Sequence, residues 1–103
     1  MSSKEELRLF ITGRTNRSQE AVHNLRSIIT SRTSGEFDLS VIDVLENPEQ
    51  AEAERILATP TLVRTTEHGA IRIIGDLSNT KEVLKLLGVR ELQDETGEGG
   101  NDE

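Results

Sequence analysis

The chain has 103 residues, a net charge of −7 and 33% hydrophobic residues, which suits one small domain. It contains no cysteine, so a disulfide framework and thiolate catalysis are excluded. No apolar run approaches the ~20 residues that a membrane-spanning helix needs, and the amino terminus lacks the apolar region of a signal peptide. Because the chain also lacks a basic stripe and an aromatic stacking platform, we expect a cytoplasmic protein that binds neither membrane nor nucleic acid.

The acidic charge is concentrated at the carboxyl terminus. Residues 91–103 hold six acidic side chains and no basic one, whereas acidic and basic residues nearly balance over residues 1–90. A segment of this composition buries too little apolar surface to offset its ordering entropy. We therefore predict a folded domain at 1–90 and a disordered acidic tail at 91–103, which serves either as a solubilising segment or as a regulatory arm.

The first half of the chain predicts a strand, a helix and a second strand. Residues 7–11 alternate apolar side chains with others at period two, which is typical of a strand. A helix follows, and either Asn16 or Ser18 can cap its start. Its apolar residues recur at helical spacing, and it is expected to end between residues 30 and 35. Residues 37–44 alternate again and predict the second strand.

The second half begins with a strong helix signal. Asn47 is a cap residue followed directly by a proline, which suits the first helical position. The apolar residues that carry this helix to Pro60 are Ala51, Ala53, Ile56 and Leu57. Residues 61–65 and 70–74 then predict the two strands of a hairpin.

A last helix follows the hairpin. The loop over residues 75–79 leads into it and is expected to end in a helix cap, with Asp76 or Ser78 as alternative caps. Residues 83–87 supply its apolar face, and Gly88 is expected to stop it. The predicted order is therefore β-α-β-α-β-β-α, an α/β order typical of a thioredoxin-like fold in a single domain.

Pro60 lies where the second helix gives way to the third strand. Its ring disfavours helical geometry at Thr59, so the chain turns sharply there. The element order favours a cis bond, as thioredoxin-like folds have at this place, over a trans bond that merely ends the helix. A thioredoxin would carry its redox motif at residues 13–18, which here hold no sulfur and no paired acid and base, so we expect no enzyme activity. Asp43 is expected to be a hydrogen-bonded structural group.

Three blocks of the sequence resemble the KaiB family of circadian clock proteins. They are VIDVLENP at 41–48, ILATPTL at 56–62 and IIGDLS at 73–78. The resemblance covers about residues 7–88. It implies a non-enzymatic protein without a cofactor, a clock or timing adaptor that binds the ATPase KaiC and modulates its phosphorylation and ATPase output. In cyanobacteria, KaiA is a further partner of the family.

The resemblance also implies two alternative folds for the chain. KaiB proteins are metamorphic: one state is a tetramer with a different carboxyl-terminal half, and the other is a thioredoxin-like monomer that binds KaiC. The candidate fold-switch residues are Gly75, Asp76, Leu86 and Gly88. Leu86 lies near a position where metamorphic members often carry glycine, and leucine removes a helix penalty of roughly 0.5–1 kcal/mol. We therefore expect a thioredoxin-like monomer, with a dimer or homotetramer as alternatives.

Departures from the cyanobacterial pattern bear on the partner. Asn16 replaces a proline in the loop before the first helix, residues 67–70 replace a proline-rich stretch, and Ser40 and Glu46 stand where lysines are common. These differences leave a second hypothesis open, a thioredoxin-like adaptor or sensor for a histidine kinase or a stress-response partner.

The candidates for partner binding lie in sequence on either side of Pro60, and the three arginines among them are expected to form one edge beside it. They are Arg55, Ala58, Arg64 and Arg72. The resemblance favours Arg55 and Arg64, whose positions are often basic in the family. The alternative for the three arginines is a solvated face with ordinary surface ion pairs. No metal site is predicted, because the two histidines lie far apart and no cysteine accompanies them.

Overall fold

The computed structural model describes residues 4–89, and its elements follow the predicted order. They are β1 (Glu5–Ile11), α1 (Asn16–Arg32), β2 (Phe37–Asp43), α2 (Pro48–Ala53), β3 (Thr61–Thr66), β4 (Gly69–Ile74) and α3 (Thr80–Leu87). The predicted acidic tail at 91–103 lies outside the described residues.

The four strands form one mixed sheet in the order β2-β1-β3-β4. β1 and β2 run parallel, because α1 returns the chain to the end of the sheet where β1 begins before β2 starts. β3 is antiparallel to both β1 and β4, and a tight turn joins β3 to β4. The βαβ unit followed by a helix and a hairpin is therefore present as predicted.

The main core lies between one face of the sheet and the helices α1 and α3. The alternation in β1 directs Leu7 and Leu9 into this core, where both are fully buried, and sends Phe10 to the other face. The helices contribute their buried apolar residues to the same cluster: Ala21, Leu25, Ile28, Val83, Leu84, Leu86 and Leu87. Full burial of each leucine contributes about 1.5–3 kcal/mol to folding, so this layer holds the helices on the sheet.

The caps of the two longer helices agree only in part with the predictions. The N-cap of α1 is Thr15, whose hydroxyl accepts the backbone N–H of Ser18 at 3.3 Å, so the prediction of Asn16 or Ser18 was wrong. The N-cap of α3 is Asn79, whose Oδ1 accepts the N–H of Glu82 at 3.2 Å. The cap is therefore at the end of the 75–79 loop, as predicted, and the alternatives Asp76 and Ser78 were wrong. In both loops several residues have capping side chains, and the path of the loop selects one of them.

The second helix is much shorter than predicted. α2 ends at Ala53, and Arg55 adopts a left-handed conformation with φ +57°. The N–H of Ile56 then bonds to the carbonyl of Ala51 at 2.9 Å, and the N–H of Arg55 bonds to Glu52 at 3.0 Å. This is the Schellman pattern of helix termination, which usually has glycine at the left-handed position. Because an arginine occupies that position, the sequence carried no stop signal there.

Candidate functional site

Four loops meet at one end of the sheet. The strand register places the carboxyl ends of β1, β2 and β4 beside the amino end of β3. We call the surface formed by residues 12–15, 44–47, 54–60 and 75–79 the Pro60 surface. In a thioredoxin-like fold this end carries the active site, so it is the first candidate for function here.

The segment around Pro60 is held by hydrogen bonds to its neighbours. The Thr59–Pro60 peptide bond is cis, and Pro60 itself is buried. The carbonyl of Pro60 accepts the N–H of Gly75 at 2.9 Å, which joins β3 to the loop after β4. The hydroxyls of Thr59 and Thr12 are in hydrogen-bond contact, which ties this segment to the end of β1. The segment is therefore attached to both neighbouring loops.

Hydroxyl and carboxylate groups organise the loop where a thioredoxin has its cysteines. The buried hydroxyl of Ser18 accepts the N–H of Thr12 at 3.0 Å. The Oδ1 of Asp43 accepts the N–H groups of Gly13 and Leu45, each at 3.0 Å. Asp43 therefore joins the ends of β1 and β2, which is a structural role. These contacts hold the backbone of the two loops in place, and they do not pair a nucleophile with a general base.

The structure brings Arg55, Ala58 and Arg72 together beside Pro60. Arg55 and Ala58 are exposed on the loop between α2 and β3. The guanidinium of Arg72 donates to the backbone carbonyls of Arg55, at 3.1 Å, and of Glu54. Arg72 therefore holds the loop that carries Arg55 and Ala58.

Arg64 lies elsewhere, and the three arginines do not form one edge. In the β3–β4 register Arg72 is opposite Val63, while Arg64 is opposite Ile71, so the two arginines point to opposite faces of the sheet. Arg64 donates to Glu5 and to the carbonyl of Leu86, beside α3. Alternation along the strand directs Arg64 to the face of the sheet that α3 covers and Arg72 to the other face.

Exposed apolar side chains are the feature that sequence reasoning missed. Leu57 is 94% exposed, Leu45 is 67% exposed and Ile74 is 65% exposed. Leu57 lines a shallow groove with Pro48, Ala51 and other residues of α2 and its flanks. The sequence placed Leu57 on the apolar face of a long helix, and it is exposed because α2 ends at Ala53. The signal that would have revealed it, a glycine after Ala53, is absent.

The candidate fold-switch residues lie at two separate ends of α3. Gly75, with φ +130°, and Asp76 belong to the loop before the helix. Leu86 is buried in its last turn, and Gly88 follows with φ +74°, the left-handed conformation expected of a helix stop. Hydrogen bonds from the side chain and backbone of Ser78 lower the pKa of Asp76 below its usual 3.8, and the charge of Arg17 lowers it further.

Two properties bear on the kind of site. Among residues 4–89, no group of three or more acidic or histidine side chains is arranged to hold a metal ion. None of the helices in the same range combines the length and the apolar character needed to cross a bilayer.

The fold and the site together define a class, a thioredoxin-like protein whose redox position holds no cysteine. Comparison with solved structures agrees with this fold. The N-terminal domain of Synechococcus elongatus SasA matches with a TM-score of 0.69 at 25% identity, over 85% of this chain and 87% of that one. Mitochondrial thioredoxin 3 from Saccharomyces cerevisiae matches with a TM-score of 0.66 at 21% identity, over 81% and 76% of the two chains. The predicted thioredoxin-like α/β fold is confirmed.

Comparison of sequences identifies the family. The KaiB domain model matches residues 8–89. Circadian clock protein KaiB3 of Synechocystis is 46% identical over 83 residues, 81% of each chain. The circadian clock oscillator protein KaiB of Thermostichus vulcanus is 42% identical over 97 residues, 94% of this chain and 88% of the relative. The chain belongs to the KaiB family, a family of non-enzymatic clock proteins.

Proposed function

We propose that this protein is a clock or timing adaptor that binds a KaiC-like ATPase and modulates its phosphorylation and ATPase output. The observation that carries the proposal is the KaiB family match over residues 8–89, nearly the whole described domain. The thiol-free loop at the end of β1 supports it, because such a scaffold acts through contacts rather than redox chemistry. The adaptor acts in the cytoplasm as a monomer, and a KaiA-like protein is a further candidate partner.

The Pro60 surface supplies features suited to binding a protein. It combines the exposed side chains of Leu45 and Leu57 with the exposed cation of Arg55. Protein interfaces commonly have an apolar centre and a charged rim. Leu57 and Ala58 supply the apolar part, Arg55 supplies the charge, and Arg72 positions the loop that carries them. We assign the contact with the ATPase to this surface.

The test is a binding measurement against the KaiC-like ATPase of the same organism, with ATP or ADP bound. Arg55→Glu and Ala58→Glu are expected to weaken binding at least tenfold, roughly 1.4 kcal/mol or more, because both lie in the contact. Lys4→Glu is the matched control, since Lys4 is exposed at the opposite end of β1. Affinity is expected to depend on the nucleotide, and ATPase rate and phosphorylation are recorded in the same samples.

Two outcomes contradict this proposal in different ways. If the wild-type protein forms no complex in either nucleotide state, the ATPase is not the partner. If it binds but Lys4→Glu weakens binding as much as Arg55→Glu does, the assignment to the Pro60 surface is wrong.

The alternative is an adaptor or sensor for a histidine kinase or a stress-response partner. The observation that favours it is that the same fold occurs as the N-terminal domain of SasA. The same variants distinguish the two functions, because they are then expected to weaken binding to the kinase, while the KaiC-like ATPase shows no complex.

A further inference from the structure

Arg64 joins the end of α3 to the first strands of the sheet. Its Nη1 donates to the carbonyl of Leu86 at 2.8 Å, while its Nε and Nη2 donate to Oε1 of Glu5 at 2.9 and 2.7 Å. The guanidinium carbon also lies 5.7 Å from the ring centroid of Phe37, within cation–π range. One side chain on β3 thus contacts β1, β2 and α3.

The last turn of α3 uses this donor to complete its hydrogen bonding. A helix leaves its last four carbonyls without intrahelical partners. After α3, the N–H of Val89 donates to the carbonyl of Leu84 at 3.0 Å, and the N–H of Gly88 donates to that of Lys85 at 3.1 Å. Arg64 supplies the donor for the carbonyl of Leu86. Because the carboxyl end of a helix dipole is negative, a cation at this position is also favourable.

The two partners of this ion pair differ in exposure. The side chain of Arg64 is 17% exposed, whereas that of Glu5 is 50% exposed. A Cβ added at Gly88 would lie 3.4 Å from Nη1 of Arg64, so the backbone after α3 comes close to the guanidinium. Water and ions therefore reach the pair mainly from the side of Glu5, and added salt weakens that contact.

The length of α3 makes this attachment important. The helix has eight residues, and isolated helices this short are not stable in water. α3 persists because its apolar face is buried and because backbone polar groups at both of its ends have hydrogen-bond partners. Small units of this kind open locally without unfolding the rest of a domain.

We propose that Glu5 and Arg64 form a conformational latch that sets how readily α3 leaves the sheet while β1 and β3 stay folded. Glu5 fixes the position of the Arg64 guanidinium, and the guanidinium holds the last turn of α3 through its hydrogen bond to the carbonyl of Leu86. Screening or neutralising Glu5 loosens the latch, and removing Arg64 releases it.

The test is amide hydrogen exchange by NMR on the full chain. Arg64→Gln is expected to speed exchange of the amides at 83–87 at least tenfold, with less than a twofold change in β1 and β3. Glu5→Gln keeps the bond to Leu86, so a smaller rise of about threefold is expected in α3. Added salt is expected to speed α3 exchange in the wild type and to speed it less in Glu5→Gln, where only the interaction of Arg64 with the helix dipole is left to screen.

Arg72→Gln is the matched control, because Arg72 also donates to helix-end carbonyls but does so at α2 on the opposite face. It is expected to leave the α3 rates unchanged. If Arg64→Gln and Glu5→Gln accelerate all amides equally, the pair contributes only to global stability and the latch is wrong. Unchanged α3 rates in Glu5→Gln also overturn it, and this variant decides the matter even if Arg64→Gln fails to fold.

Discussion

Single side chains at the ends of β1 and β2 determine how the loops of the Pro60 surface are held. Thr12 contacts Thr59 through their hydroxyls, and Asp43 accepts two backbone N–H groups from two loops. The contact of Thr12 with Thr59 and that of Gly13 with Asp43 satisfy polar groups that are partly removed from water, where an unpaired group is costly. The surface that we assign to binding is therefore held by contacts among its own loops and with Asp43.

Asp43 provides the first prediction. Asp43→Ala leaves the N–H groups of Gly13 and Leu45 without this acceptor, so we expect a loss of about 1–3 kcal/mol in unfolding free energy. Asp43→Asn keeps an oxygen in the same place and should lose less than half as much. Urea denaturation of the three proteins measures the difference. Equal losses would show that the charge of Asp43, and not its acceptor geometry, matters.

Asp76 provides a prediction about pH. Its pKa is lowered chiefly by the hydrogen bonds from Ser78, so the folded state favours the ionised carboxylate. The stability from this group is therefore complete above the ordinary pKa of an aspartate and is lost as pH falls through the lowered value. A carboxyl NMR titration should place the pKa of Asp76 below 3.8.

Ser78→Ala is the matched variant for this titration. It removes the side-chain hydrogen bond and should move the pKa of Asp76 back toward its ordinary value. A pKa that does not change in Ser78→Ala would contradict the assigned cause.

At the scale of elements, two helices end by the same hydrogen-bond pattern with different residues. After α3 the left-handed position is Gly88, with φ +74°, and after α2 it is Arg55, with φ +57°. The left-handed conformation costs an ordinary L-residue roughly 1–2 kcal/mol, and glycine escapes this cost. The same ending is therefore less favourable at α2 than at α3.

This contrast predicts opposite effects of substitution. Gly88→Ala should lower the free energy of unfolding by about 1 kcal/mol, because it places a Cβ in a left-handed conformation near Arg64. Arg55→Gly should raise it by about 0.5 kcal/mol, since relief of strain exceeds the entropy that glycine adds to the unfolded chain. Denaturant titration of both variants against the wild type tests this, and a destabilised Arg55→Gly would show that the arginine side chain holds the turn.

At the scale of the whole molecule, the two faces of the sheet are covered unequally. Two helices of 17 and eight residues cover one face, and a six-residue helix covers part of the other. The short helix leaves the following loop projecting at the Pro60 end, where Leu57 is exposed. Apolar exposure at one end of a small domain is typical of a binding surface.

Leu57 and Leu62 form a matched pair for testing the contrast between the exposed binding surface and the buried core. Leu57→Ala should change the unfolding free energy by less than about 0.5 kcal/mol, because the side chain is 94% exposed. Leu62→Ala should cost about 2–5 kcal/mol, because Leu62 is fully buried. Thermal and urea denaturation measure both. A large loss in Leu57→Ala would mean that this leucine packs against the domain and is not available to a partner.

Much of the fold follows from local patterns in the sequence. Alternation predicted β1 and β2, and helical spacing predicted α1 and α3, because buried faces impose these periods. The hairpin pattern, two strand-like runs on either side of a turn, predicted β3 and β4. The start of α2 at Pro48 and the stop of α3 at Gly88 were predictable since both residue types have strong backbone preferences. The end of α2 was not, because Arg55 adopts a conformation that its type rarely takes.

The features of the candidate site also divide into those that the sequence predicted and those that it did not. The sequence by itself determined the family, the lack of any cysteine for thiol chemistry and the place of Pro60 between α2 and β3, because these depend on which residues are present. Tertiary structure alone decided that Arg72 supports the loop of Arg55 and Ala58 and that Arg64 serves α3 on the opposite face. The physical reason is strand register: a one-residue step along a strand reverses the direction of a side chain, and only the assembled sheet determines what lies on each side.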